Sequence, residues 1–222
     1  MIRALKFGHR PPQSGKTVGL VVFLHGYGAD GADLLGLADV LGPHLPNTAF
    51  VAPDAPERPL MAPYGFQWFP IPRFDGSTDA QMLAGMAQST QDLNRFFDER
   101  LAAEGLGPEA LLLVGFSQGA MMSLHVAPRR KVAFAGVVSI SGRLMVPETL
   151  DAETVVKPPV LVMHGDRDDV VPFGEMALAA NALTKAGFET YGHVMKGSGH
   201  GIAPDGLSVA LRFMQDKLPS GA

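Results

Sequence analysis

Leu111-Leu112-Leu113-Val114-Gly115-Phe116-Ser117-Gln118-Gly119-Ala120-Met121-Met122-Ser123-Leu124 is the stretch on which the fold turns. A bounded apolar run of strand length passes directly into a segment that reads as a helix. Between the two lies Gly-x-Ser-x-Gly, with its fixed residues at Gly115, Ser117 and Gly119. A strand that becomes a helix at once must hold its pivot residue in a strained backbone conformation, a cost on the order of 1–3 kcal/mol. Side chains two positions to either side would collide, and glycine has none. The turn lifts the Ser117 hydroxyl clear of the sheet, above a helix N-terminus that favours developing negative charge. In this strand-turn-helix setting the pattern reads as a nucleophile elbow.

Outward from the elbow, short apolar runs alternate with amphipathic stretches. Runs over 18–24, 48–51, 111–116, 133–139, 160–163 and 189–194 are bounded mostly by Gly, Pro or Asp and read as buried strands. Helices are expected over 33–41, 118–127, 174–186 and 206–218. A long one begins at Thr78, whose spacing to Gln81 fits a capping box, and ends near Gly105. The alternation predicts an α/β fold with a mostly parallel central sheet and helices on both faces. No repeat or linker divides the chain, so residues 1–222 are expected as one domain, with 1–17 as an N-terminal extension. The exception to the regular pattern is 53–76, dense in proline and aromatic residues, which precludes a long helix or central strand. A long irregular segment of that kind is expected to border the active site. Met61, Phe66, Trp68, Phe69 and Phe74 are its candidate substrate-binding residues.

Composition sets the limits. A chain of 222 residues with 46% hydrophobic and 18% charged residues can bury a core without staples. The net charge of -4 and the lack of a basic stripe argue against a nucleic-acid partner. There are no cysteines, which excludes disulfides and thiolate chemistry. No run approaches the ~18 apolar residues of a membrane span, and the N-terminus has no signal-peptide pattern. A cytoplasmic protein without stable membrane insertion is expected, and homodimer formation is left open.

A nucleophilic serine needs a base, and the base needs an orienting carboxylate. His200, in Gly199-His200-Gly201, follows the last strand. Asp166, Asp168 and Asp169 follow the strand at 160–163, and the residues alone do not choose among them. All these groups fall at the carboxyl edge of a parallel sheet, where such sheets carry their sites. The chain order Ser, Asp, His is that of α/β-hydrolases. His25 and His164, each before a glycine at a strand end, read as hydrogen-bonded structural residues. His125, behind the elbow, reads as packing.

The segments 23–30 (Phe-Leu-His-Gly-Tyr-Gly-Ala-Asp), 115–120 (Gly-Phe-Ser-Gln-Gly-Ala), 164–168 (His-Gly-Asp-Arg-Asp) and Gly199-His200 resemble the bacterial carboxylesterase, lysophospholipase and acyl-protein thioesterase family. The resemblance spans about residues 18 to 218. It implies an α/β-hydrolase fold with no large cap domain, acting on carboxylic esters or thioesters as small-molecule substrates. It matches the family's acid to Asp168 and its oxyanion donors to the backbone N–H groups of Tyr27 and Gln118. Tyr27 stands where many relatives carry Leu, an exchange that spares a backbone donor and alters the wall beside it. Short to medium acyl groups are expected, since no long apolar insertion offers a lipid tunnel.

Two other readings compete. Gly26-Tyr27-Gly28-Ala29-Asp30-Gly31 fits G-x-G-x-x-G after a strand, with Asp54 ending the next strand, as in a dinucleotide-binding oxidoreductase. That reading leaves Ser117, Asp168 and His200 unexplained. A non-catalytic binding module on the same fold has no use for a strained serine. No metal-ligand spacing appears, so neither a metal nor a cofactor is expected.

Overall fold

The computed structural model describes residues 2–220. Its elements follow in chain order: β1 (Phe7–Arg10), β2 (Gly19–Leu24), α1 (Gly31–Leu35), α2 (Leu37–Leu41), β3 (Thr48–Pro53), α3 (Pro72–Asp75) and α4 (Asp79–Glu104). There follow β4 (Leu111–Phe116), α5 (Gln118–Val126), β5 (Gly136–Ile140), α6 (Leu150–Glu153), β6 (Val160–Gly165), α7 (Gly174–Lys185), β7 (Thr190–Met195) and α8 (Pro204–Lys217). The strands form one sheet in the order β1-β3-β2-β4-β5-β6-β7. Every neighbouring pair is parallel except β1 with β3. The mostly parallel sheet expected from the sequence is therefore present.

Alternation along the strands divides the core in two. Leu20, Val22 and Leu24 of β2, with Leu111 and Leu113 of β4, pack with Met86, Leu93 and Phe97 of α4 and with α5 and α7. Val21, Phe23, Leu112 and Val114 point the other way, to the face covered by α1, α2 and α8. With both faces buried, the strands have no polar side to show, which is why they appear in sequence as unbroken apolar runs. The long helix α4 is closed at both ends by its own sequence. Thr78 Oγ1 accepts from the Gln81 amide while Gln81 Oε1 accepts from the Thr78 amide, and Gly105 takes φ 67 to end it.

Two local expectations are corrected. The segment 1–17 contains β1, paired antiparallel along β3 from Phe7↔Pro53 to Arg10↔Phe50. An edge strand with mostly exposed side chains carries no apolar run, so its pattern is silent. The helix expected over 33–41 is two short helices meeting at Gly36, where a residue without a side chain weakens helix continuity. Within 53–76, Pro72 opens the short helix α3, and Phe66 forms a bridge with Ala29. Among the described residues no helix is long and apolar enough to cross a membrane.

Candidate active site

The sequence Gly115–Gly119 folds as the elbow requires. Ser117 has φ 53 and ψ -115, between the end of β4 and the start of α5. Its N–H donates to Ile140 O at 2.9 Å, and its carbonyl accepts from Met121 N at 3.1 Å. A Cβ on Gly115 would lie 2.4 Å from Gly119 O, and one on Gly119 would lie 1.9 Å from Leu24 O. Only glycine allows the helix this close to the strands.

Two loops from the same sheet edge meet the serine. His200, between β7 and α8, places Nε2 at 3.0 Å from Ser117 Oγ and Nδ1 at 2.7 Å from Asp168 Oδ2. With a carboxylate at Nδ1, the imidazole keeps its proton there and presents the Nε2 lone pair to the hydroxyl. The other oxygen of Asp168 accepts from the Val170 and Val171 amides at 3.0 and 2.9 Å. Burial pushes the Asp168 carboxyl up, but the bonds from His200 and the two amides outweigh it and hold the group below its ordinary value.

Of the three acids that the residues alone leave open, Asp168 is the one that reaches His200. Asp166 Oδ1 instead accepts from the Gly197 amide at 2.7 Å, tying the acid loop to the histidine loop. His164 braces the same turn, its Nε2 lying 2.9 Å from Val171 O. His25 is fully buried, with Nδ1 donating to Gly26 O at 2.7 Å and Nε2 accepting from Ala55 N at 2.9 Å. Burial holds its pKa below the usual imidazole value, so it is a neutral structural residue.

Tyr27, after β2, and Gln118, at the first turn of α5, line the same cavity as Ser117 and His200. Among the described residues neither backbone N–H has a partner within the protein. The cavity has a volume of about 460 Å³ and an open mouth. Of the five residues expected from 53–76 to bind substrate, Phe69 and Phe74 line it and three do not. Met61 is 67% exposed to solvent. Phe66 lies under the Arg58 guanidinium, 4.1 Å from its ring centroid. Trp68 is wholly buried, its Nε1–H bonded to His25 O. Composition marked the segment but not the direction of each side chain. Ile71, Met82, Met121 and Arg143 also line the cavity. The two methionines carry the helical spacing of core residues and sit at its margin; nothing in the sequence signals Arg143.

The dinucleotide reading meets a specific obstacle. The acid it needs for a ribose, Asp54, accepts from the Gly31 amide at 2.9 Å and closes the turn before α1.

The chain matches the family model described as phospholipase/carboxylesterase over residues 12–218. Acyl-protein thioesterase 1 of Saccharomyces cerevisiae is 30% identical over 213 residues, covering 90% of this chain and 93% of that protein. Acyl-protein thioesterase 1 of Kluyveromyces lactis is 32% identical, covering 92% and 90%. Among solved structures, esterase PE8 is 41% identical with a TM-score of 0.91, covering 97% of this chain and 100% of that one. Acyl-protein thioesterase 2 of Zea mays, 24% identical with a TM-score of 0.78 over 96% of this chain and 99% of its own, shares the fold.

Proposed function

Because the chain belongs to the phospholipase/carboxylesterase family of α/β-hydrolases, and is thus a serine ester hydrolase, we propose that Ser117, His200 and Asp168 are its catalytic triad. The backbone N–H groups of Tyr27 and Gln118 are its oxyanion hole. The observation that carries this reading is the unbroken line of bonds from Ser117 Oγ through both ring nitrogens of His200 to Asp168. Oγ attacks the ester carbonyl carbon while His200 Nε2 takes its proton, and the tetrahedral oxyanion faces the two free amides. Collapse expels the alcohol or thiol, which receives the proton from His200. Water then gives a proton to His200 and attacks the acyl-enzyme, and Ser117 regains its hydrogen as the acid leaves.

The substrate is an ester or thioester of short to medium acyl length, with the acyl group against Phe69, Phe74, Met82 and Met121. Thioesters are included because the yeast relatives carry the name acyl-protein thioesterase. Each proposed group comes from one chain and the chemistry is complete without a metal, a cofactor, nucleic acid or a second copy. The cytoplasm is the proposed location.

Labelling with a fluorophosphonate followed by peptide mapping should modify Ser117. Ser117→Ala should stay folded and lose several orders of magnitude in rate on a p-nitrophenyl ester; a folded variant that retained most activity would refute the triad. Across a series of p-nitrophenyl esters, kcat/KM should peak at short to medium acyl groups, and a steady rise to long chains would refute the size assignment.

A further inference from the structure

Trp68 is the only tryptophan of the chain, and it is fully buried. Its polar groups are each committed to a different part of the site. The indole Nε1–H donates to His25 O at 2.9 Å. The backbone N–H donates to Gln118 Oε1 at 2.8 Å. The backbone carbonyl accepts the Ser89 hydroxyl from α4. Gln118 completes a second bond through Nε2 to Phe69 O at 2.7 Å. His25, gripped by the indole, in turn holds Gly26 O.

A backbone amide cannot be aimed by its own side chain; it is aimed by whatever fixes the peptides around it. Oxyanion donors act only when already in place as charge develops, about 2.7–3.1 Å from it, so displacements well under the length of a bond matter. Trp68 is bonded to both segments that carry the donors, by its indole to His25 O and by its backbone N–H to the Gln118 side chain. Through His25 and Gly26 it holds the loop that carries the Tyr27 amide, and through the Gln118 side chain it holds the first residue of α5. Ser89 anchors Trp68 itself to the long helix.

We propose that Trp68 is a positioning residue of the oxyanion hole, fixing the Tyr27 and Gln118 amides in register with each other and with Ser117. This rests on the triad and donors proposed above. Phenylalanine at this position would keep most of the packing and remove the donor, leaving His25 O buried without it.

The single tryptophan makes the test direct. In nitrogen-15-labelled protein the one indole N–H resonance belongs to Trp68. It should shift when a fluorophosphonate places a tetrahedral adduct on Ser117, and should stay still when Ser117→Ala meets the same reagent. Trp68→Phe should lower kcat on a p-nitrophenyl ester about tenfold or more, a part of the ~100–1,000-fold typical of losing a donor outright. KM should stay within roughly twofold, since the lost interaction acts only in the transition state. The inhibition constant of an arylboronic acid, which forms a tetrahedral adduct, should rise by the same factor as kcat/KM falls. Met61→Ala, in the same segment but in solvent, should change none of these. If Trp68→Phe does not fold, benzothienylalanine at position 68 keeps the ring shape, replaces the N–H by sulfur, and should give the same kinetic pattern. An indole resonance unmoved in phosphonylated protein, or a folded Trp68 replacement with kcat within twofold of the parent, overturns the proposal. Failure of the parent protein to label at all overturns the triad instead.

Discussion

The acid at position 168 separates from its neighbours by geometry alone. Asp166, Asp168 and Asp169 stand within four positions, with the same chemistry and the same strand before them. Which one faces His200 depends on the path of the turn, set by the Val170 and Val171 amides that grip Asp168. Ser117 and His200 were legible because their signals are local: two glycines around a serine between strand and helix, and a histidine after the last strand. The cavity wall was legible only in part, because aromatic composition does not say which rings turn inward. Asp168→Asn would keep the shape and donate where it should accept, forcing the imidazole toward the wrong tautomer. kcat should fall by roughly 10³–10⁴ with little change in melting temperature; a fall of less than tenfold would remove Asp168 from the triad.

Helix α5 carries a second consequence of its burial. His125 lies on it behind the elbow, its Nδ1 buried without a partner. Burial, and then the charge of Arg129, lower its pKa from 6.5 to about 4. Between those values the unfolded chain binds a proton that the folded one does not, so stability falls as pH drops from about 6.5 toward 4 and this contribution changes no further below that. The ceiling is roughly 3 kcal/mol, from ~1.4 kcal/mol for each pH unit of difference. Urea unfolding of the parent and of His125→Gln at pH 7 and pH 4.5 should show a smaller acid loss in the variant; equal losses would exclude His125 as the cause. At this scale the sequence was readable wherever an element is buried on both sides, as β2, β4 and β6 are. It was not readable for β1, an edge strand whose pairing with β3 is made by backbone groups that no side-chain pattern reports.

At the scale of the whole molecule, one contact joins residues that span most of its N-terminal half. Arg3 meets Asp92, fully buried in α4, with both its backbone N–H and Nε at 2.7 Å, and extends Nη1 to Glu57 at 2.9 Å. Arg3→Met would leave a buried carboxylate without its cation. The cost should be about 2 kcal/mol, below the ~3–5 of a fully buried pair because the arginine side chain is 32% exposed. Arg3→Met with Asp92→Leu should recover most of it, and an additive double variant would show that the pair is not coupled. The same global logic places Ser117, Asp168 and His200 on three loops at one sheet edge, an arrangement implied by the order of motifs before any coordinate is known.

The segment between β3 and α3 is held at Phe66 by Ala29 and at Trp68 and Phe69 by Gln118, whereas Leu60, Met61 and Tyr64 stand 67–79% exposed. Its pinned half and its free half are therefore separable. For the protein engineer, residues 60–64 form a cassette: their length and composition can be varied to carry a tag, a label or a surface attachment, while the anchored residues keep the geometry of the cavity unchanged.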